Sequence, residues 1–219
     1  MPVTTVVVAT NNANKLKEIE EILKRIAPDL TLLTARDIAM SEPAETGATF
    51  HANALIKAVA AYDLTGHITL ADDSGLEVDA LGGAPGVHSA RYAGPAASDA
   101  DNNAKLLAAL AATPPEHRIA RYRCAITLVV PPAFAFRLPL ARPLTTARGP
   151  AFMLDVAGAC EGRVVDTPAG GGGFGYDPYM LYPPAGVTFA ELSSADKHAI
   201  SHRGHALRAL EPHLRALLA

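Results

Sequence analysis

The chain has 219 residues, enough for one sizeable core or two modest lobes, and its 49% apolar content excludes intrinsic disorder. Its 19 Lys and Arg nearly balance 22 Asp and Glu; a net charge of −3 argues against gripping a nucleic-acid backbone along a whole face, while leaving room for a local cation cluster that holds a small anion. Two Cys without a CxxC pair exclude a disulfide framework and a familiar zinc motif, and no run of about 18 apolar residues offers a membrane span.

In chain order, Met1-Pro2-Val3-Thr4-Thr5 lacks the basic start and apolar stretch of a signal peptide, so a cytoplasmic protein is expected. Val6 to Ala9 reads as a buried strand, ending in Thr10-Asn11-Asn12. Leu16, Ile19, Ile22, Leu23 and Ile26 then recur at helical spacing until Pro28. A second helix is expected from Thr49 to Tyr62, then a strand from His67 to Ala71 that runs into Asp72-Asp73-Ser74-Gly75. Asp99 to Leu110 reads as a helix burying Ala104, Leu107, Ala108 and Ala111. Arg121 to Val130 is a long strand, with Phe134-Ala135-Phe136 as a candidate hairpin partner, and 131–150 is read as extended structure and loops. A short apolar strand follows Pro178. Ser193 with Asp196 resembles a capping box, and the last helix carries Ile200, Leu207, Leu210, Leu214 and Leu217 with Pro212 kinking or dividing it. The sum is a mixed α/β fold, residues 1–219 forming a single domain of two lobes that are not independent.

Five constellations can carry chemistry, and each also has an ordinary reading. Thr10-Asn11-Asn12-Ala13-Asn14-Lys15 sits at a strand end and helix start, where amide N–H groups and Lys15 suit a phosphate; ordinary helix capping by Asn reads the same way. Asp72 and Asp73, placed at a strand's carboxyl end, repel and need a counter-charge that a hard divalent cation such as Mg²⁺ supplies; the alternative is a plain turn. Glu45 is a third carboxylate available to the same metal, or a surface loop residue. Asn53 and Lys57, four apart, share a helix face, which the simpler reading leaves in water.

Gly170-x-Gly172-x-x-Gly175 matches a dinucleotide fingerprint, but Pro178 follows at once and no helix can open there. What remains is a pliable loop presenting Phe174 beside Tyr176 and Asp177, or a flexible turn. Lys197, His202 and Arg203 could stack on or hydrogen-bond a base near a break at Gly204; a basic helix end is the alternative.

Taken in order, Thr10 to Lys15, Glu45-Thr46-Gly47-Ala48-Thr49-Phe50, Ala71 to Leu76, Leu81-Gly82-Gly83-Ala84-Pro85-Gly86 with Ser89-Ala90-Arg91-Tyr92, Gly172 to Pro178 and Ile200 to Gly204 resemble the inosine/xanthosine triphosphate pyrophosphatase family over nearly the whole chain. Ala52 departs from it, standing where bacterial members commonly carry a Glu. The resemblance implies an elongated two-lobed fold around a central mixed sheet with flanking helices and the nucleotide in the cleft, a homodimer, and Mg²⁺-dependent cleavage of ITP, dITP and XTP between the α and β phosphates. It implies triphosphate binding by Thr10, Asn11, Asn12, Ala13, Asn14, Lys15 and Lys57. Glu45 and Asp73, supported by Asp72, would bind Mg²⁺, and Asp73 would orient or deprotonate the attacking water. Ser74 would touch the nucleotide, while Phe174, Gly175, Tyr176, Asp177, Lys197, His202 and Arg203 would form the base pocket. The competing expectations are a nucleotide-sensing module that does not cleave, and a pyrophosphatase for another modified nucleotide. No nucleic-acid or membrane partner is expected.

Overall fold

The computed structural model describes residues 5–218, apart from the Ile22 side chain. The segment read above for a signal peptide, through Thr4, and the place of Ile22 on its helix stripe therefore lie outside the described residues.

Strand β1 (Thr5–Val8) is buried as its β-branched run predicts, and it pairs in parallel with β2 (Thr31–Thr34) and β3 (Ile68–Val78). Between β1 and β2 runs α1 (Ala13–Ile26), capped by Asn12 and ending with Lys24 and Arg25, whose charges suit the carboxyl end of a helix. Ile19 and Leu23 are its buried anchors. Helix α2 (Phe50–Thr65) starts at a Thr49 cap and stops at Gly66, a left-handed residue with φ 69°.

Several elements depart from the sequence reading. Strand β3 does not turn at Asp72; it continues through Asp72, Asp73, Ser74 and Gly75 to Val78, so the carboxylates lie mid-strand rather than at a strand end. Helix α3 (Asp99–Ala109) buries Asn102, Asn103 and Leu106 instead of Ala104 and Ala108. The two amides replace apolar contacts with hydrogen bonds: Asn102 accepts from the Ala93 N–H and donates to the Ala90 carbonyl. Phe134 to Phe136 is no hairpin strand but part of a 3₁₀ turn, Pro132–Arg137, with Phe136 largely exposed.

The remaining strands are β4 (Ile119–Val130), β5 (Arg142–Thr146), β6 (Gly149–Val164), β7 (Met180–Tyr182) and β8 (Val187–Thr188). The hairpin belongs to β5 and β6, which pair antiparallel around Thr146 and Gly149. Hydrogen bonding orders the sheet β2-β1-β3-β4-β6-β7-β8, with β5 on β6; both parallel and antiparallel pairs occur, as a mixed α/β fold requires. Helix α4 (Ser194–Ile200), capped by Ser193, stops at Ser201, where ψ swings to 157°, and α5 (His202–Leu218) begins at once. The break therefore falls three residues before Gly204, and α5 runs on through both Gly204 and Pro212.

Two compact units emerge, neither a continuous stretch of chain. The first comprises Met1–Asp73, Ala125–Ala157 and Ala206–Ala219, the second Ser74–Cys124 and Gly158–His205. Val7, Ala58, Ala61, Tyr62, Ala71 and Val129 belong to the core of the first. Small alanines on α2 let the helix lie close against the β-branched strand. Leu76, Leu106, Leu110, Tyr122, Met180 and Phe189 belong to the core of the second, where Tyr122 meets Phe189 edge to face at 5.2 Å. Among the described residues no helix is long and apolar enough to cross a membrane.

Candidate active site

The first unit gathers a cluster of alternating charge. Lys57, on the buried face of α2, places its Nζ 3.0 Å from Glu45 Oε1 and 3.3 Å from Asp73 Oδ1. Burial works against its charge, yet Asp72, Asp73 and Glu45 together outweigh burial and hold the ammonium above its ordinary pKa. Burial also pushes the Asp73 carboxyl up, opposed by Lys57 and Lys15. Lys15 closes the group with its Nζ 3.3 Å from Asp72 Oδ2. Asn53, one helical turn before Lys57, accepts from the Gly47 N–H at 2.8 Å and donates to Asp73 Oδ2 at 3.1 Å, tying the Glu45 loop to the strand. The Asn53–Lys57 face of α2 is thus buried, and the simple wet-face reading is set aside.

At the start of α1 the capping reading of the motif holds. Asn12 Oδ1 accepts from the N–H groups of Asn14 (3.0 Å) and Lys15 (3.1 Å), so Asn12 is a true helix cap. Thr10 accepts from the Asn12 N–H at 3.2 Å. Asn11, Ala13 and Asn14 are exposed, and Lys15 has turned toward Asp72.

Among the described residues no three His, Cys, Asp or Glu side chains form a ready-made metal cage. The donor set nonetheless suits a hard divalent cation: Glu45 and Asp73 present oxygens around a single ammonium. Mg²⁺ is commonly bound by one or two carboxylates with substrate phosphates completing its shell, rather than by an all-protein cage.

The second unit holds the aromatic and basic group. Asp177, buried in the 3₁₀ turn Asp177–Tyr179, accepts three hydrogen bonds: from the Tyr122 hydroxyl (3.0 Å), Lys197 Nζ (2.8 Å) and the Phe174 N–H (2.9 Å). Lys197 also sits 4.7 Å from the centre of the Phe174 ring. His202 lies against the Tyr122 ring, 4.8 Å between centres and 24° between planes. Arg203, almost fully buried, donates from Nη2 to Ser74 Oγ at 2.9 Å. Tyr176 donates to the Ser89 carbonyl at 2.8 Å. After Gly175 come only the 3₁₀ turn Asp177–Tyr179 and strand β7, not the α-helix that a dinucleotide fingerprint opens.

Two residues in these groups were missed as site candidates, Asn53 and Tyr122. In the sequence Asn53 stands out only as a neighbour of Lys57 on one helix face. Tyr122 carried a usable signal, since Arg121 and Arg123 flank it on a strand and alternation turns it inward.

The model of the Ham1 family matches residues 6–213. The chain belongs to the Ham1 family. Ham1 relatives cover it nearly end to end. The dITP/XTP pyrophosphatase of Exiguobacterium sibiricum is 45% identical over 213 residues, spanning 97% of this chain and 98% of that protein. The protein of the same name from Methylococcus capsulatus is 46% identical over 211 residues, 96% of either chain. A HAM1 protein structure from Coxiella burnetii is similar at a TM-score of 0.80 and 39% identity, covering 96% of this chain and 98% of that one.

Proposed function

We propose that this Ham1 protein hydrolyses the deaminated purine nucleotides ITP, dITP and XTP to the monophosphate and pyrophosphate, with Mg²⁺ as cofactor. The observation that carries the reading is the Lys57 ammonium set against Glu45 and Asp73, with Asp72 and Lys15 beside them. Such a cluster serves phosphoryl transfer, where positioning and charge neutralisation supply most of the catalysis. Relatives of similar length bear the name dITP/XTP pyrophosphatase, which supports the same choice.

In this reading Lys15, Lys57 and the Thr10–Asn14 loop hold the triphosphate. Glu45 and Asp73, with Asp72 in support, hold Mg²⁺, which supplies charge neutralisation at the phosphate oxygens. Asp73 orients the water and takes its proton as the α–β anhydride breaks, the electron pair leaving with pyrophosphate. Phe174 offers a flat apolar face to the base, Tyr176 and Gly175 shape its loop, and Ser74 touches the nucleotide. Lys197, His202 and Arg203 present donors. Hypoxanthine and xanthine accept at O6, where adenine donates from its amino group and meets donors instead. A site built on such hydrogen bonds rejects the wrong group by roughly 10⁴-fold.

The net charge of −3 supports free nucleotides rather than nucleic acid as partners. A homodimer and a cytoplasmic location follow from the resemblance and belong to the same proposal. The deciding experiment is ³¹P NMR of the ITP reaction: IMP with pyrophosphate is expected, while IDP with orthophosphate, or tight ITP binding with no turnover, overturns the reading.

A further inference from the structure

The Phe174 loop is held from outside by the first turns of α3. That helix opens with two acids that divide the work. Asp101 closes the capping box with Ser98, taking the Ser98 N–H while Ser98 Oγ accepts from the Asp101 N–H. Asp99 is left for another partner, and its Oδ2 accepts the Gly175 N–H at 2.7 Å, across 76 residues of chain. One turn later Asn103, buried on the same helix, donates from Nδ2 to the Gly175 carbonyl at 2.8 Å and to the Asp99 carbonyl at 2.8 Å. Both polar groups of the Gly175 backbone are therefore bonded, in a residue with φ 63°. On the preceding residue Asp177 takes the Phe174 N–H, so consecutive peptide units on either side of the Phe174 ring are anchored.

We infer that Asp99 and Asn103 are positioning residues for base recognition, acting through the Gly175 backbone to set the Phe174 ring. The inference rests on the proposed role of Phe174 at the base. An aromatic platform on a glycine-rich loop must otherwise lose its conformational freedom each time a nucleotide binds; two hydrogen bonds from a rigid helix remove that loss beforehand.

The test combines a structural and a kinetic measurement on the full chain. Asp99→Ala and Asn103→Ala are expected to accelerate hydrogen exchange at the Gly175 amide at least about tenfold, and to raise KM for ITP about tenfold with kcat changed less than about threefold, the size of one hydrogen bond to a charged or buried group. Asp99→Asn, whose side-chain oxygen can still accept, restores KM. In a Phe174→Ala background Asp99→Ala adds nothing further to KM. Unchanged KM in both alanine variants, or an effect that adds in full to that of Phe174→Ala, overturns the inference while the functional reading stands. A wild-type chain inactive on ITP overturns the functional reading and this role with it, and the exchange rates then report only that α3 holds the loop.

Discussion

The Tyr122 hydroxyl donates to Asp177 Oδ1 at 3.0 Å, and the same ring lies flat against His202. One side chain thus ties the carboxylate that orients Lys197 to the imidazole proposed to face the base. Burial, followed by the charge of Asp177, holds the phenol well above its ordinary pKa, so it remains a donor across the working pH range. Tyr122→Phe keeps the ring and loses the donation. It should cost about 1–3 kcal/mol of stability in urea denaturation, the range for a buried hydrogen bond to a charged group, and raise KM for ITP about fivefold. Unchanged stability would show that Asp177 is satisfied without it.

Gly173 gives a sharper structural prediction. Its φ is 72°, and a Cβ there would overlap the Asp177 carboxylate. Gly173→Ala must therefore shift Asp177 or unwind the loop, and ITP turnover at low substrate is expected to drop at least about tenfold. Gly171→Ala is the control, because a Cβ at Gly171 meets nothing within 4 Å. Equal behaviour of the two variants would contradict the packing described.

Asp73→Asn separates chemistry from folding. The new amide oxygen can still accept from Asn53, which leaves its NH2 facing the Lys57 ammonium, and Lys57 retains Glu45. Stability should fall by about 1–3 kcal/mol, leaving a folded chain, while kcat falls at least about 10³-fold. A variant with near-normal kcat removes Asp73 from the mechanism.

Cys160 predicts an alkaline limit. Burial, with Glu161 adding to it, pushes its thiol from 9.0 to about 11. The unfolded chain loses this proton first, so between those values the native state binds more protons and stability falls as pH rises. The contribution is fully present below about pH 9 and is lost through about pH 11. Denaturation midpoints at pH 8 and pH 10.5 should differ less for Cys160→Ala than for the wild type; equal slopes would rule this group out as a source.

Much of the frame was legible from apolar periodicity and caps. Strand β1, α1 with its Asn12 cap, and α2 from its Thr49 cap through Tyr62 all follow from local pattern; the last turn to Thr65 does not. The Asp72-Asp73-Ser74-Gly75 run was misjudged because each residue alone favours a turn. In the fold Lys15, Lys57 and Asn53 meet the two carboxylates from distant parts of the chain, partners that no local preference reports. The inward face of α3 was misjudged for a related reason: Asn102 and Asn103 bury through backbone partners that no periodicity reports. The candidate site residues are proposed from ordered motifs, whereas Asn53 and Tyr122, which bond to Asp73 and Asp177, lie outside those motifs.

The central claim is tested most directly by the rate of pyrophosphate release from ITP beside ATP and GTP, at equal concentrations with Mg²⁺. The account predicts pyrophosphate from ITP, with kcat/KM for ATP lower by roughly 10⁴-fold and GTP also far slower. Equal rates on the three purines would contradict it.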